Sequence, residues 1–218
     1  MKLDIPNQKM SEKLGGLLSD VPGEFRRRPR IVPGLEQLTI FRDNGIPCPQ
    51  FTVHLKEAKK WVEAGDVVFG RDRSHEKGAD IVVQGSTWDR KEFWSKFIPS
   101  SREYRIHIFA NEQIQQSLKT FNPNAPRRRT DGLPIRNTET GWEYDHAFNP
   151  RPAAVDLAKR AVRILGYLWG GVDFLEGTNG TCYVLEVNSA PGMDDTTAHA
   201  YADAIKKYAE QSNQYGKR

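Results

Sequence analysis

Apolar residues recur at helical spacing in some stretches and cluster or alternate at strand spacing in others, so the chain predicts a mixed α and β protein. Leu35, Leu38, Ile40 and Phe41 predict one amphipathic helix over 35–44, stopped by Asn44-Gly45 and then Pro47. Phe51-Thr52-Val53 predicts a short strand, and residues 55–64 a second helix ended by Gly65. Val67-Val68-Phe69-Gly70 and Asp80-Ile81-Val82-Val83 are strand-like runs separated by a polar turn, which predicts a hairpin. Tyr104, Ile106 and Ile108 alternate with Arg105, His107 and Phe109, and a second alternating run covers 113–119. Together they predict an antiparallel pair turning at Asn111-Glu112.

Pro152 opens the clearest helix, predicted to reach Leu168 on an apolar face of Val155, Leu157, Ala158, Ala161, Val162 and Leu165. Residues 171–175 and 182–187 predict two strands about the turn Gly177-Thr178-Asn179-Gly180. A last helix is predicted over 197–211, after Pro191-Gly192. Hairpins dominate this order, which favours α+β over a doubly wound parallel sheet. Residues 1–34, polar and broken by Pro6, Pro22, Pro29 and Pro33, read as an irregular arm. Residues 121–141 read as a long loop, and loops of that length inside a compact domain are usually functional or mobile.

Composition narrows the class. The 218 residues, 38% hydrophobic and 28% charged, suffice for one sizeable domain or two small lobes. No window approaches the roughly 18 consecutive apolar residues of a membrane helix. The opening Met1-Lys2-Leu3-Asp4-Ile5-Pro6 carries no signal-like apolar stretch, so neither a membrane nor secretion is expected. Cys48 and Cys182 alone cannot make a disulfide framework or a zinc finger, and they predict the reduced thiols of a cytoplasmic protein. The net charge of +4 is concentrated: seven arginines lie in Arg26-Arg27-Arg28 with Arg30 and in Arg127-Arg128-Arg129. The other 25 basic residues against 28 acidic ones leave −3. Each cluster is either an anion-binding patch or a solvated arginine run, on a protein unlike a uniformly basic nucleic-acid binder.

The last predicted hairpin holds the sharpest chemistry. Glu186 and Asn188 sit two apart in Leu185-Glu186-Val187-Asn188 and so share a face, and Asp173 on the paired strand can face them. Two carboxylates and an amide oxygen on one sheet face make a hard oxygen site suited to Mg²⁺ bridging nucleotide phosphates; the alternative is an ordinary acidic strand facing solvent. Ser74-His75-Glu76-Lys77-Gly78 could donate backbone N–H groups to phosphate or be a plain turn. Arg105, in mid-strand, either meets an anion or faces water.

The ordered set resembles the ATP-grasp superfamily, specifically small stand-alone proteins of bacteriophage type. It runs from Asn44-Gly45-Ile46-Pro47-Cys48-Pro49 through Val67-Val68 and the His75–Gly78 turn to Glu103-Tyr104-Arg105-Ile106-His107 and Lys119. It continues through Arg127-Arg128-Arg129, Ile135-Arg136-Asn137, Gly141-Trp142 and Gly171-Val172-Asp173. It closes on Leu185-Glu186-Val187-Asn188-Ser189-Ala190-Pro191-Gly192. The resemblance covers about residues 36–210. It implies two lobes whose antiparallel sheets clasp ATP, divided as an arm (1–34), a first lobe (35–98) and a second lobe (99–218).

Carried over by residue, the resemblance gives Asp173, Glu186 and Asn188 as ligands of Mg²⁺ (or Mn²⁺). Arg105 stands near the transferred phosphate and, with Arg136 and Asn188, takes the catalytic roles. His75 and Gly78 belong to a flap over the phosphates, Lys96, Phe97 and Ile98 to the hinge that meets adenine, and Lys119 and Arg136 to the cleft lining. Relatives place a lysine directly after the strand before the flap; here Val68 is followed by Phe69, Gly70 and Arg71, so Arg71 or Arg73 inherits that contact. Only about 35 residues precede the first predicted helix, so the acceptor site is expected from elsewhere in the chain or from a partner chain, and a homo-oligomer is open.

The implied activity is ATP- and Mg²⁺-dependent ligation of a carboxylate to an amine or thiol through an acyl phosphate, in the cytoplasm (the host's, for a phage protein). The alternatives are an ATP-grasp kinase or nucleotide-gated module, and a basic nucleic-acid-binding protein with a vestigial ATP site. The expected partners are small-molecule or peptide carboxylates and amines. His54, His146 and His199 carry no motif.

Overall fold

The computed structural model describes residues 2–4, 8–21, 24–26, 31–73, 81–83, 88–124, 136 and 140–215. In chain order these form β1 (Lys2–Asp4), α1 (Gln8–Gly15), a 3-10 turn (Gly16–Leu18), β2 (Glu24–Arg26) and α2 (Gly34–Asp43). Then come β3 (Phe51–Thr52), α3 (Leu55–Glu63), β4 (Val68–Arg71), β5 (Val82–Val83), a second 3-10 turn (Trp88–Arg90) and β6 (Phe93–Lys96). The remainder is β7 (Ser100–Phe109), β8 (Glu112–Phe121), β9 (Trp142–Asp145), α4 (Pro152–Ile164), β10 (Trp169–Gly177), β11 (Cys182–Asn188) and α5 (Asp195–Tyr215).

Two antiparallel sheets carry the architecture, in the orders β11-β10-β7-β8-β9 and β3-β6-β4-β5, beside a small parallel pair of β1 and β2. The expected α+β class with antiparallel sheets is what forms. The β7–β8 hairpin turns on Ala110 and Asn111 at φ 47° and 67°, the left-handed pair that matches the twist of adjoining strands.

The large sheet is two-faced because its strands alternate. Tyr104, Ile106, Ile108, Val172, Phe174, Val184 and Val187 form the apolar face. It packs on Ala154, Ala158, Ala161 and Val162 of α4 and on Leu35, Leu38 and Phe41 of α2. Helix α2, which a boundary at residue 98 assigns to the first lobe, therefore buries its apolar side in the core of the large sheet. The smaller sheet has its own core of Ala58, Trp61, Val68, Trp88 and Trp94. Two of its indole N–H groups find partners there: Trp88 donates to the Val68 carbonyl at 3.1 Å and Trp94 to the Trp88 carbonyl at 3.2 Å.

Three expectations are corrected. Within the segment expected to be an irregular arm, residues 8–18 are ordered: α1 and its 3-10 extension bury Met10, Leu14 and Leu18 against Phe109, Trp169, Tyr201 and Ile205. Met10, Leu14 and Leu18 recur every four residues, and the prolines lie outside that run rather than inside it. Helix α4 ends at Ile164 instead of Leu168, because Gly166 takes a left-handed φ of 67° and turns the chain toward β10. Strands β6 and β9 were not anticipated, the first because Phe93, Trp94 and Ser95 are all buried and show no alternation. No helix among the described residues is long and apolar enough to cross a membrane.

Candidate functional site

The second face of the large sheet is polar, and it is built by the same alternation that makes the first face apolar. Arg105 on β7 lies opposite Asp173 on β10, and Asp173 lies opposite Glu186 on β11. Gly171 lies opposite Asn188, one step along the same face. The three oxygen-bearing residues expected to act together thus occupy adjacent register positions, with Glu186 and Asn188 half-buried. A bulge in the β10–β11 pairing beyond Asp173 shifts the register, so that Phe174 meets Val184.

Arg105 grips Asp173 with two parallel hydrogen bonds, Nε to Oδ1 at 2.6 Å and Nη2 to Oδ2 at 2.8 Å. Their side chains are only 11% and 6% exposed, so this is a buried, bidentate pair. Burial alone would disfavour both charges. The mutual attraction outweighs it, holding the Asp173 carboxyl below the usual carboxylate range and the Arg105 guanidinium above its ordinary value. Two of the four carboxylate lone-pair directions are used by Arg105, which leaves Asp173 able to face a cation as well. Asn188 Oδ1 accepts the Ala190 N–H at 3.0 Å, fixing the amide while leaving that oxygen a further lone pair. With Glu186 beside them, the donor set is two carboxylates and one neutral amide oxygen, which fits a hard divalent cation.

Space on this face is tight. A Cβ on Gly171 would come within 2.9 Å of Pro191 Cβ and 3.1 Å of Arg105 Cδ. Glycine is required here because the arginine and the Pro191 loop already fill the room a side chain would need.

Toward β9 the face becomes cationic and aromatic. Lys119 Nζ pairs with Glu103 and donates to the Arg136 carbonyl at 3.0 Å. Burial raises Glu103, with the charge of Asp173 adding to it and Lys119 pulling partly back. Lys119 stays firmly cationic against burial because it faces both Asp173 and Glu103. The Tyr144 ring lies 5.3 Å from the Arg105 guanidinium and 5.9 Å from Lys119 Nζ. Arg136 donates to the Ser100 carbonyl at 3.3 Å and lies 4.9 Å over the Trp142 ring. On the far side, His107 Nδ1 lies 3.2 Å from the Tyr201 hydroxyl, which joins the sheet to α5. Burial, and then the Arg105 charge, push the His107 imidazole down to about 3, so it is neutral.

The structure therefore brings Arg105, Lys119, Arg136, Asp173, Glu186 and Asn188 onto one face. His75, Gly78 and Arg127-Arg128-Arg129 lie outside the described residues. Arg73 turns to Glu92, which accepts its backbone N–H at 2.6 Å and lies 3.7 Å from its Nε. Arg71, at the end of β4, has its guanidinium 5.7 Å from the Phe69 ring. In the expected hinge, the Lys96 ammonium is held by Asp66 at 2.6 Å and by the Trp61 ring at 5.1 Å. The N–H groups of Lys96 and Phe97 donate to the carbonyls of Gln50 and Val67, leaving Ile98 as the last hinge residue before Pro99.

Sequence reading assigned no role to Glu103, His107, Tyr144 or His146. The first two were available from alternation alone, since they flank Arg105 at spacing two. Tyr144 alternates with Trp142 in a strand too short to stand out. His146, near β9, meets Asp194 at 2.6 Å and also contacts Gln115. Asp194 accepts the Thr197 N–H at 2.8 Å and so caps α5.

No family model matches the chain. Among curated proteins it is similar to the D-alanine–D-alanine ligase of Methylacidiphilum infernorum (isolate V4), 27% identical over 175 residues, which cover 73% of this chain and 55% of that one. Among solved structures it resembles the ATP-grasp ligase PsnB complexed with a phosphomimetic variant of minimal precursor, Mg and ADP. That likeness has a TM-score of 0.61 at 17% identity, covering 82% of this chain and 58% of that one. It also resembles the D-alanine–D-alanine ligase from Bacillus anthracis, with a TM-score of 0.57 at 15% identity over 84% and 69% of the two chains. These likenesses show that the chain has the ATP-grasp fold. It spans about half the length of the curated relative it matches.

Proposed function

We propose that the protein is an ATP-dependent ligase that joins a carboxylate to an amine through an acyl phosphate, with Asp173, Glu186 and Asn188 as the residues that would hold Mg²⁺. The observation that carries this reading is the buried Arg105–Asp173 pair set in register with Glu186 and Asn188 on one polar face of an ATP-grasp sheet. When bound there, the cation would supply charge neutralisation for the phosphates.

Phosphoryl transfer requires positioning and charge compensation more than covalent participation by the protein, and the face is stocked for that work. In the first step a substrate carboxylate oxygen bonds to the γ-phosphorus of ATP and ADP leaves. In the second step the amine nitrogen bonds to the acyl carbon, phosphate leaves and the nitrogen loses a proton. Arg105, held rigid by Asp173, presents its remaining N–H donor edge to the anion that shifts between these states. Lys119 and Arg136 add positive charge toward β9, where Tyr144 and Trp142 limit how far each cation can swing.

The precursor peptide in the PsnB complex and the D-alanine named for the D-alanine–D-alanine ligases support carboxylate and amine substrates of small-molecule or peptide type. Cys48 and Cys182 are free thiols, which supports a reducing compartment such as the cytoplasm. The bacteriophage type remains a proposal carried by the order of the sequence motifs. Neither arginine cluster lies wholly within the described residues, and among those residues no structural observation favours the kinase or nucleic-acid readings.

The test is ADP release from Mg²⁺-ATP in the presence of a panel of carboxylates and amines, with product mass measured in parallel. Amine-dependent ADP release with a condensed product supports ligation. ADP release without an acceptor would point to a kinase, and no thermal shift at millimolar nucleotide would remove the nucleotide site itself.

A further inference from the structure

Strand β11 has β10 on one side, and its other edge faces α2. That edge is closed by unlike groups. The Val184 N–H donates to the Pro47 carbonyl at 2.8 Å. Three residues on, the Val187 N–H donates to Gln37 Oε1 at 2.7 Å, and Gln37 Nε2 donates back to the Val187 carbonyl at 3.2 Å. The second hydrogen of the same Nε2 serves the Val32 carbonyl at 2.9 Å. Gln37 is buried at 7% exposure, so a single side-chain amide takes the place that a neighbouring strand would hold. Its orientation is unambiguous, because the nitrogen faces two carbonyls and the oxygen faces an N–H.

Val187 lies between Glu186 and Asn188, and its peptide groups are the hinges from which both side chains hang. With both of its outward polar groups held, Val187 has no freedom to rotate, and the two oxygen donors stay on the face of Asp173. Losing the amide would leave two backbone groups without their partner at the point where alignment matters most. Gln37 itself is positioned by α2, whose Leu35, Leu38 and Phe41 are locked in the core of the large sheet.

We propose that Gln37 is a positioning residue for the cation site: its carboxamide sets the Val187 backbone and thereby aligns Glu186 and Asn188 for Mg²⁺. This rests on the functional reading above. Gln37 touches neither substrate nor cation, so its effect is confined to the metal-dependent part of nucleotide binding.

The experiment measures ADP affinity of the full chain twice, in excess Mg²⁺ and in excess EDTA, for wild type, Gln37→Met and Gln37→Glu. Methionine keeps the length without hydrogen bonds; glutamate keeps the acceptor for the Val187 N–H and loses the donor. The expected result is a fall of about tenfold in the Mg²⁺-dependent gain for Gln37→Met, the scale on which outer partners of metal ligands act. Gln37→Glu falls between it and wild type, and affinity in EDTA stays within about twofold for all three. A Mg²⁺-dependent wild type with the same gain in Gln37→Met, or equal losses with and without Mg²⁺, overturns the role of Gln37. A wild type with no Mg²⁺-dependent affinity overturns the reading of the site instead. Should Gln37→Met not fold, Gln37→Glu carries the same comparison. Hydrogen exchange at the wild-type Val187 amide then tests the backbone link: protection like that of Val172 supports it, and exchange at the rate of an open edge amide overturns it.

Discussion

His107 provides a pH test of how the polar face is built. It is 2% exposed, its Nδ1 meets the Tyr201 hydroxyl, and Arg105 on the same strand opposes a second positive charge. Burial and that neighbour push its imidazole from the ordinary value of 6.5 down to about 3. Between those values the unfolded chain takes up a proton that the folded chain refuses, so stability is full above pH 6.5 and falls as the pH drops toward 3. At pH 5 this one group removes about 2 kcal/mol relative to pH 7.5, from 1.36 kcal/mol per pKa unit. The assay is denaturant unfolding at both pH values for wild type and His107→Gln. Glutamine can still meet the Tyr201 hydroxyl, and it does not titrate. Other histidines and carboxylates contribute to both proteins and cancel in the comparison. Wild type is expected to lose about 2 kcal/mol more than the variant between pH 7.5 and pH 5. Equal losses would show that His107 accepts its proton in the folded state and that the reasoning from burial fails.

Two further outcomes follow from the same face, and a third from the sequence alone. Arg105→Met leaves the buried Asp173 carboxylate without its partner and is expected to cost about 3–5 kcal/mol in denaturant unfolding. Adding Asp173→Asn should recover part of that loss, and a double variant as unstable as the sum of the singles would contradict the pairing. Glu186→Gln removes one anionic donor at constant shape, so calorimetry should show the Mg²⁺-dependent part of nucleotide affinity reduced by roughly 1–3 kcal/mol. Replacing Arg127, Arg128 and Arg129 together by alanine is expected to weaken use of an anionic substrate while nucleotide binding persists, because an arginine fork grips carboxylates bidentately. Undiminished ligation in that variant would assign the cluster to solvent.

Much of the fold was legible because its signals are local. The hairpins β7–β8 and β10–β11 announce themselves by alternation and turn residues, and α2 and α3 end at Gly45 and Gly65, both at positive φ. What escaped has a physical cause in each case. Strand β6 is buried through Phe93, Trp94 and Ser95, so the period that marks a half-buried strand is missing. Helix α1 is short and polar overall, and its Met10 and Leu14 gain meaning only when Phe109 and Tyr201 arrive from far along the chain. Helix α4 stops at a glycine whose left-handed conformation composition alone does not reveal.

The sequence by itself determined which residues share the polar face. A strand has a period of two, so Arg105 and His107 on one strand, and Glu186 and Asn188 on another, were committed to common sides before any fold existed. It also determined the donor chemistry, since the oxygen atoms of Asp173, Glu186 and Asn188 belong to the side chains themselves. Only the tertiary structure decided how these residues pair. The register that sets Arg105 opposite Asp173, the bulge that shifts Phe174 onto Val184, and the Gln37 amide on Val187 from 150 positions away are long-range choices. They follow from which packing of α2 and α4 on the sheet buries the most apolar surface while pairing the backbone groups at the edge of β11, a property of the whole chain that no local window contains.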